Sequence, residues 1–218
     1  MVSTFELNEN CKSSVEFLED TEIHYLDDFY KNPQEVVDFI LSTKATYHKQ
    51  QFPGYNSEYF HDMRYEISTD VSHVYGFLSK LCNQKPAEHQ GGDGFVIANY
   101  MSFCDYPFND YQNNYWWPHV DFGWTALVYL SDDEESGTNL YRCLEESENQ
   151  DRANTHEHLH PWRPKRYYEL VKSIKPRYNR CVMFNGGDYL HGQNITNKKY
   201  FGNVFRLNQV LFFEHEQR

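Results

Sequence analysis

Pro118-His119-Val120-Asp121, leading into the apolar run Trp124 to Leu130 (WTALVYL), is the stretch on which the reading of this chain turns. On an extended backbone the side chains at i and i+2 lie on one side. His119 and Asp121 can therefore offer an imidazole and a carboxylate to one metal ion. A further ligand must come from elsewhere, and Asn185-Gly186-Gly187-Asp188-Tyr189-Leu190-His191-Gly192 supplies His191 at a strand end after a tight turn. Two His and one carboxylate on one face of an octahedron leave three positions open, the arrangement of non-haem Fe(II) oxygenases. The 70 residues between Asp121 and His191 must then be closed by the fold. A jelly roll closes such a gap by laying distant strands around one cavity.

Working outward, Val204 to Phe213 (VFRLNQVLFF) reads as a strand that is apolar on both faces except for its polar interruptions. Arg206 there is costly to bury without an anion. The distal carboxylate of 2-oxoglutarate suits it as a bidentate partner. Asn208, two residues on, points the same way and can add a hydrogen bond. Further strands are expected at Phe95 to Met101, Asn139 to Arg142 and Arg180 to Phe184, separated by turn clusters such as Ser131 to Gly137. Ahead of them, Glu22 to Phe29 reads as a short strand. Asn32-Pro33-Gln34-Glu35 reads as an N-cap, a proline at the first helical position and a capping-box glutamate. Helical spacing predicts amphipathic helices over residues 33 to 44 and about 70 to 82, with Gln51 to Gly54 as a break.

The 218 residues suit a single domain: a tail at 1–21, strand and helical support at 22–94, and a β core at 95–213. That core carries an insertion near 144–176 with one short helix around Tyr167 to Ile174. Helices first and strands afterwards predict a mainly β fold with flanking helices. Aromatics are 17% of the chain, which excludes a disordered one. The net charge of −12 argues against nucleic acid as a partner, and the short basic cluster Arg163 to Arg166 reads as a solvated helix start. No stretch reaches the ~20 apolar residues of a membrane span. The N-terminal residues lack a signal-peptide pattern. The five cysteines form an odd, scattered set without CxxC, so the chain is expected in the reducing cytoplasm. His156, His158 and His160 alternate in a polar loop and read as solvated, since no nearby carboxylate or Cys completes a convincing ligand set. The aromatic segment Tyr106 to Trp117 reads equally as a substrate lid or as packing.

The order H-x-D, the strand Ala126 to Ser131, the turn into Gly137-Thr138, the distal His191 and the strand Arg206 resembles the Fe(II)/2-oxoglutarate-dependent oxygenase superfamily. Within it the chain is similar to the prolyl-4-hydroxylase-like branch, and to a little-characterised family there. That finer likeness rests on Leu26-Asp27-Asp28-Phe29 with Asn32-Pro33, on Phe52-Pro53-Gly54 and on Tyr178 to Phe184. The resemblance covers residues 22 to 213. It implies a double-stranded β-helix (a cupin-like jelly roll), His119, Asp121 and His191 as iron ligands, and Arg206 as the 2-oxoglutarate anchor. It also implies that Tyr100 contacts the cosubstrate. The implied reaction is hydroxylation, with dioxygen and 2-oxoglutarate consumed and succinate and CO2 released, on a small-molecule or peptide substrate. The chain departs from the pattern in the 15 residues from His191 to Arg206, longer than usual in the branch, which leaves Arg177 and Arg180 as other possible anchors. Two rival readings remain: a non-catalytic jelly-roll binding module, and a cupin-like metalloenzyme using Mn or Zn without 2-oxoglutarate.

Overall fold

A computed structural model describes residues 4–43, 46–48, 61–88, 94–102, 112–144, 162–202 and 204–214, apart from the side chains at 46–48, 61–66, 95, 99–102 and 162. The Gln51 to Gly54 break, Cys104, Tyr106 to Tyr111 of the aromatic segment, most of the expected insertion and His156, His158 and His160 lie outside the described residues.

The described chain is mainly β, and all its strand pairings are antiparallel. Its strands are β1 (Lys12–Leu18), β2 (Thr21–Asp27), β3 (Thr46–His48), β4 (His61–Ser68), β5 (Phe95–Ser102), β6 (Asn114–Trp116) and β7 (Trp124–Tyr129). There follow β8 (Thr138–Cys143), β9 (Trp162–Pro164), β10 (Tyr168–Ile174), β11 (Arg180–Asn185), β12 (Leu190–Gln193) and β13 (Arg206–Phe213). Two helices, α1 (Pro33–Ser42) and α2 (Ser72–Cys82), precede most of the strands. Eight strands form one sheet in the order β1-β2-β11-β7-β13-β5-β4-β3, three form a second in the order β10-β8-β12, and β6 pairs with β9.

Side-chain alternation sorts the large sheet into two faces. Ala126, Val128, Cys181, Met183, Leu207 and Leu211 pack with Val36, Ile40, Val74 and Leu78 of the two helices. The alternate residues Leu127, Tyr129, Val182, Phe184 and Val210 pack with Leu140 and Ile174 of the small sheet. The molecule is thus layered as helices, large sheet and small sheet, with apolar contacts on both faces of the large one. Near-continuous apolar runs such as Trp124 to Leu130 follow from that double burial.

Several expectations need correction. The expected tail contains β1, which pairs with β2 along its full length. Only Val15, Phe17 and Leu18 are apolar there, and Val15 and Phe17 stay exposed, so the segment carries little strand signal. The expected helix around Tyr167 to Ile174 is strand β10. Tyr168, Val171 and Ile174 recur every three residues as on a helix, but the register against β8 slips between Leu170 and Lys172. A β-bulge, not a helical turn, accounts for that spacing. Arg163 is buried in β9, and Lys165 and Arg166 sit in a single 3-10 turn, so that basic cluster is no solvated helix start. Pro33 begins α1 as expected, but the Asn32 side chain makes no capping hydrogen bond. At α2 the capping acceptor is Asp70, which takes the Ser72 backbone N–H at 3.1 Å and its hydroxyl at 2.7 Å. The cysteines among the described residues are free, with Cys82 and Cys181 buried. Among the described residues no helix is long and apolar enough to cross a membrane.

Candidate metal centre

His119, Asp121 and His191 converge. Their potential ligand atoms all lie within 4.8 Å of one another. The backbone sets this up before any side chain does. Residues 118–119 run along the free edge of β12, where His119 and His191 exchange two hydrogen bonds, N–H to O=C, at 2.9 and 2.7 Å. The chain then crosses toward the large sheet. Asp121 N–H donates to Gly186 O at 3.0 Å and Gly186 N–H to Gly123 O at 2.8 Å, just before β7 begins. The ligand segment therefore bridges the two sheets, and the 72 residues between the two histidines are closed by one local β-bridge.

Two glycines make this crossing possible. A Cβ on Gly192 would lie 2.4 Å from Trp116 O, and one on Gly186 would lie 2.8 Å from Asp121 Cβ and 2.9 Å from Thr125 Oγ1. Any side chain at either position would push the His119–Asp121 segment off its partners. The turn before His191 is fastened by the Asn185 amide, which donates to Asp188 Oδ1 at 2.9 Å and accepts from Gly187 N–H at 3.1 Å.

Each ligand is oriented by a second contact. His119 Nδ1 lies 2.8 Å from Trp117 O, so Nδ1–H donates there and Nε2 keeps its lone pair for a metal. His191 Nε2 lies 3.1 Å from Asp121 Oδ2, and the Thr125 hydroxyl donates to the same oxygen at 2.7 Å. His119 Nε2 lies 3.8 Å from Asp121 Oδ1. Donors at adjacent corners of an ion with bonds of about 2.1 Å stand about 3 Å apart, so these separations fit one shared ion after small adjustment. Burial by itself would push the Asp121 carboxyl up. The His191 hydrogen bond, the nearby His119 ring and the Thr125 hydroxyl outweigh it and hold Asp121 well below the usual carboxylate range, ready to ligate. The His191 side chain is 5% exposed, Asp121 16% and His119 39%, so the site opens on the His119 side.

Arg206 is buried in the layer between the sheets. Its Nε donates to Ser136 O at 3.1 Å, one terminal nitrogen to Gln193 Oε1 at 2.9 Å and the other to Gly137 O at 3.3 Å. Its Cζ stands 5.6 Å from the centroid of the Tyr129 ring. All three acceptors are neutral. Burial pushes the guanidinium pKa down, outweighing the nearby Tyr129 and Tyr200 hydroxyls and the Asp133 carboxylate, which act the other way. Arg177 and Arg180 are placed differently: both bind Asp27, at 3.0 Å and, through the Arg180 Nε, 2.5 Å. Asn208 lies two residues from Arg206 on the same face of β13, with its Oδ1 buried and without a hydrogen-bond partner. Tyr100 stands in β5 opposite Leu207, while Met101 is opposite Arg206. The Tyr100 side chain lies outside the described residues.

The long interval from His191 to Arg206 is taken up by a 3-10 turn, Lys198–Phe201, fixed by the buried Tyr200. Thr125, Gly186, Gly192 and Gln193 join the site without having been singled out by the sequence. Their only sequence signal is position: Gly192 and Gln193 lie one and two residues after His191, Gly186 in the turn before it and Thr125 four residues after Asp121. A family model described as a family of unknown function (DUF6445) matches residues 10–204. No curated protein matches the chain.

Proposed function

We propose that this chain, which belongs to that family of unknown function, is a mononuclear Fe(II)- and 2-oxoglutarate-dependent oxygenase on a double-stranded β-helix, acting as a hydroxylase. The observation that carries the reading is the pairing of a His-Asp-His set with a buried arginine whose three hydrogen-bond acceptors are all neutral, both facing the space between the sheets.

His119, Asp121 and His191 would hold the metal by one face and leave the opposite face to exogenous ligands. Bound there, Fe(II) supplies dioxygen activation coupled to conversion of 2-oxoglutarate to succinate and CO2. The chain's own residues bind and orient. Thr125 fixes which Asp121 oxygen faces the ion, and the Trp117 carbonyl fixes the His119 tautomer. Three of the five Arg206 N–H bonds are occupied, leaving one on each terminal nitrogen. A distal carboxylate takes both as a bidentate pair. The Asn208 side-chain amide, on the same face, adds a contact. His191 and Gln193 are two residues apart on β12, a step of about 6.5–7 Å. A five-carbon dicarboxylate held at the metal by one end would then run along β12 toward the guanidinium.

A cupin-like metalloenzyme would use the same three ligands, and a binding module would need none. Both leave Arg206 buried with no anion to bind. The test is succinate formation from 2-oxoglutarate in air with added Fe(II). We expect it in the wild type and not in His119→Ala or Asp121→Ala, which also lose bound iron while keeping the fold. Equal iron content in the wild type and both variants would overturn the reading.

A further inference from the structure

Gln193 is no metal ligand, yet it joins the two halves of the site. It follows His191 by two residues on β12, so both side chains leave the same face of the strand, and its Oε1 accepts from Arg206 at 2.9 Å. Across the sheet it is opposite Thr138, whose hydroxyl lies 2.8 Å from the Tyr129 hydroxyl. The Arg206 guanidinium is thus fixed on its edges by Gln193, Ser136 and Gly137 and flanked by the Tyr129 ring.

The chemistry of the Gln193 contact differs from that of three other arginines in this chain, which carries 32 acidic against 20 basic residues. Arg142, Arg177 and Arg180 each face a carboxylate, from Glu19 or Asp27. The more deeply buried Arg206 is given an amide. A glutamate has the same length and would pair with it, satisfying the charge from within. The neutral carbonyl holds the guanidinium in place and leaves its charge unspent.

We propose that Gln193 is a positioning residue: it fixes Arg206 relative to His191 without neutralising it, and so reserves the cation for the distal carboxylate of a five-carbon dicarboxylate. The inference rests on the reading of Arg206 as the anion anchor. It adds that the amide at position 193 decides whether the anchor is available, and that the two-residue step from His191 sets the length of dicarboxylate accepted.

The test compares wild type, Gln193→Glu and Gln193→Leu as full-length chains. Thermal midpoints are measured with anaerobic Fe(II), alone and over a range of 2-oxoglutarate concentrations. The Glu variant gains an internal ion pair, so its midpoint without 2-oxoglutarate rises above wild type. Its half-saturating concentration rises about thirtyfold or more, because the anchor is lost to the added anion. The Leu variant loses one hydrogen bond but keeps the free charge, so its half-saturating concentration rises only about three- to tenfold. Iron affinity without 2-oxoglutarate is unchanged in all three. The order wild type, Leu, Glu is diagnostic, since a purely structural role would make the apolar Leu the worst of the three. Unaltered half-saturation in the Leu variant, or a Glu variant that binds as tightly as wild type, overturns the proposal while leaving the oxygenase reading intact. A wild type that 2-oxoglutarate does not stabilise overturns the anchor reading and this inference with it.

Discussion

Arg206 stands where three neutral carbonyl oxygens hold a buried cation, a costly arrangement unless an anion completes it. Arg206→Ala therefore removes the anion's partner, and we expect the apparent affinity for 2-oxoglutarate to fall by on the order of 2–5 kcal/mol, about thirtyfold or more. Metal affinity should change far less, because Arg206 is no ligand. Arg206→Lys should recover part of the loss, since it restores charge but not the planar fork. Titration of each variant with 2-oxoglutarate at saturating Fe(II) checks this, and unchanged 2-oxoglutarate dependence in the Ala variant would remove Arg206 as the anchor. At this scale the sequence is most informative where chemistry forces a residue type. His119, Asp121, His191 and Arg206 stand out because imidazole, carboxylate and guanidinium have few bland uses in apolar strands. Thr125 and Gln193 do not, because a hydroxyl or an amide fits almost any surface strand. Their roles arise only when the Asp121 oxygen and the guanidinium are seen beside them.

The ligand set depends at the level of elements on how closely 116–119 approaches β12. Gly192 allows that approach, with the Trp116 carbonyl oxygen 2.4 Å from where a Cβ would lie. Gly192→Ala should lower stability by on the order of 1–3 kcal/mol, the usual range for overpacking. It should also weaken metal binding, because His191 is the adjacent residue. Urea denaturation and iron titration of the variant check both effects, and wild-type values in both would show that the strand can yield at no cost. Another junction is Asp27 at the end of β2, which ties that strand to the start of β11 through Arg180 and to the β10–β11 connection through Arg177. The Arg180 hydrogen bond, outweighing partial burial, holds the Asp27 carboxyl below its ordinary value. A depressed folded-state pKa gives stability that is present above the unfolded value of about 3.9 and is lost as pH falls through the folded one. Asp27→Asn should therefore be less stable at neutral pH and show a shallower acid decline, measured as unfolding free energy from pH 7 down to pH 3. An unchanged acid limb would place the effect on other carboxylates. Strands buried on both faces, such as β7 and β13, announce themselves as apolar runs. β1 and β10 do not, the one because most of it stays exposed, the other because a bulge gives its apolar residues a helical spacing.

For the whole molecule, the helix-then-strand order already predicts a β fold backed by helices, and that is what the layers realise. Strand order within the large sheet is not legible, because β2 next to β11 and β13 between β7 and β5 are pairings over long sequence separations. No local pattern encodes such a partner. It is chosen by which apolar faces can be buried together. Yet the site depends on that global choice: it lies where residues 119–123 cross from the edge of the small sheet to β7 of the large one. In the proposed function, this crossing holds iron within reach of a 2-oxoglutarate anchored by Arg206. The most direct measurement is an anaerobic titration of the Fe(II)-loaded protein with 2-oxoglutarate, followed by visible absorption. We predict a weak charge-transfer band that saturates with 2-oxoglutarate in the wild type, is absent in Asp121→Ala, and requires far higher concentrations in Arg206→Ala. Stoichiometric iron binding by the wild type with no band at any 2-oxoglutarate concentration would contradict the claim and favour a metalloenzyme that does not use it.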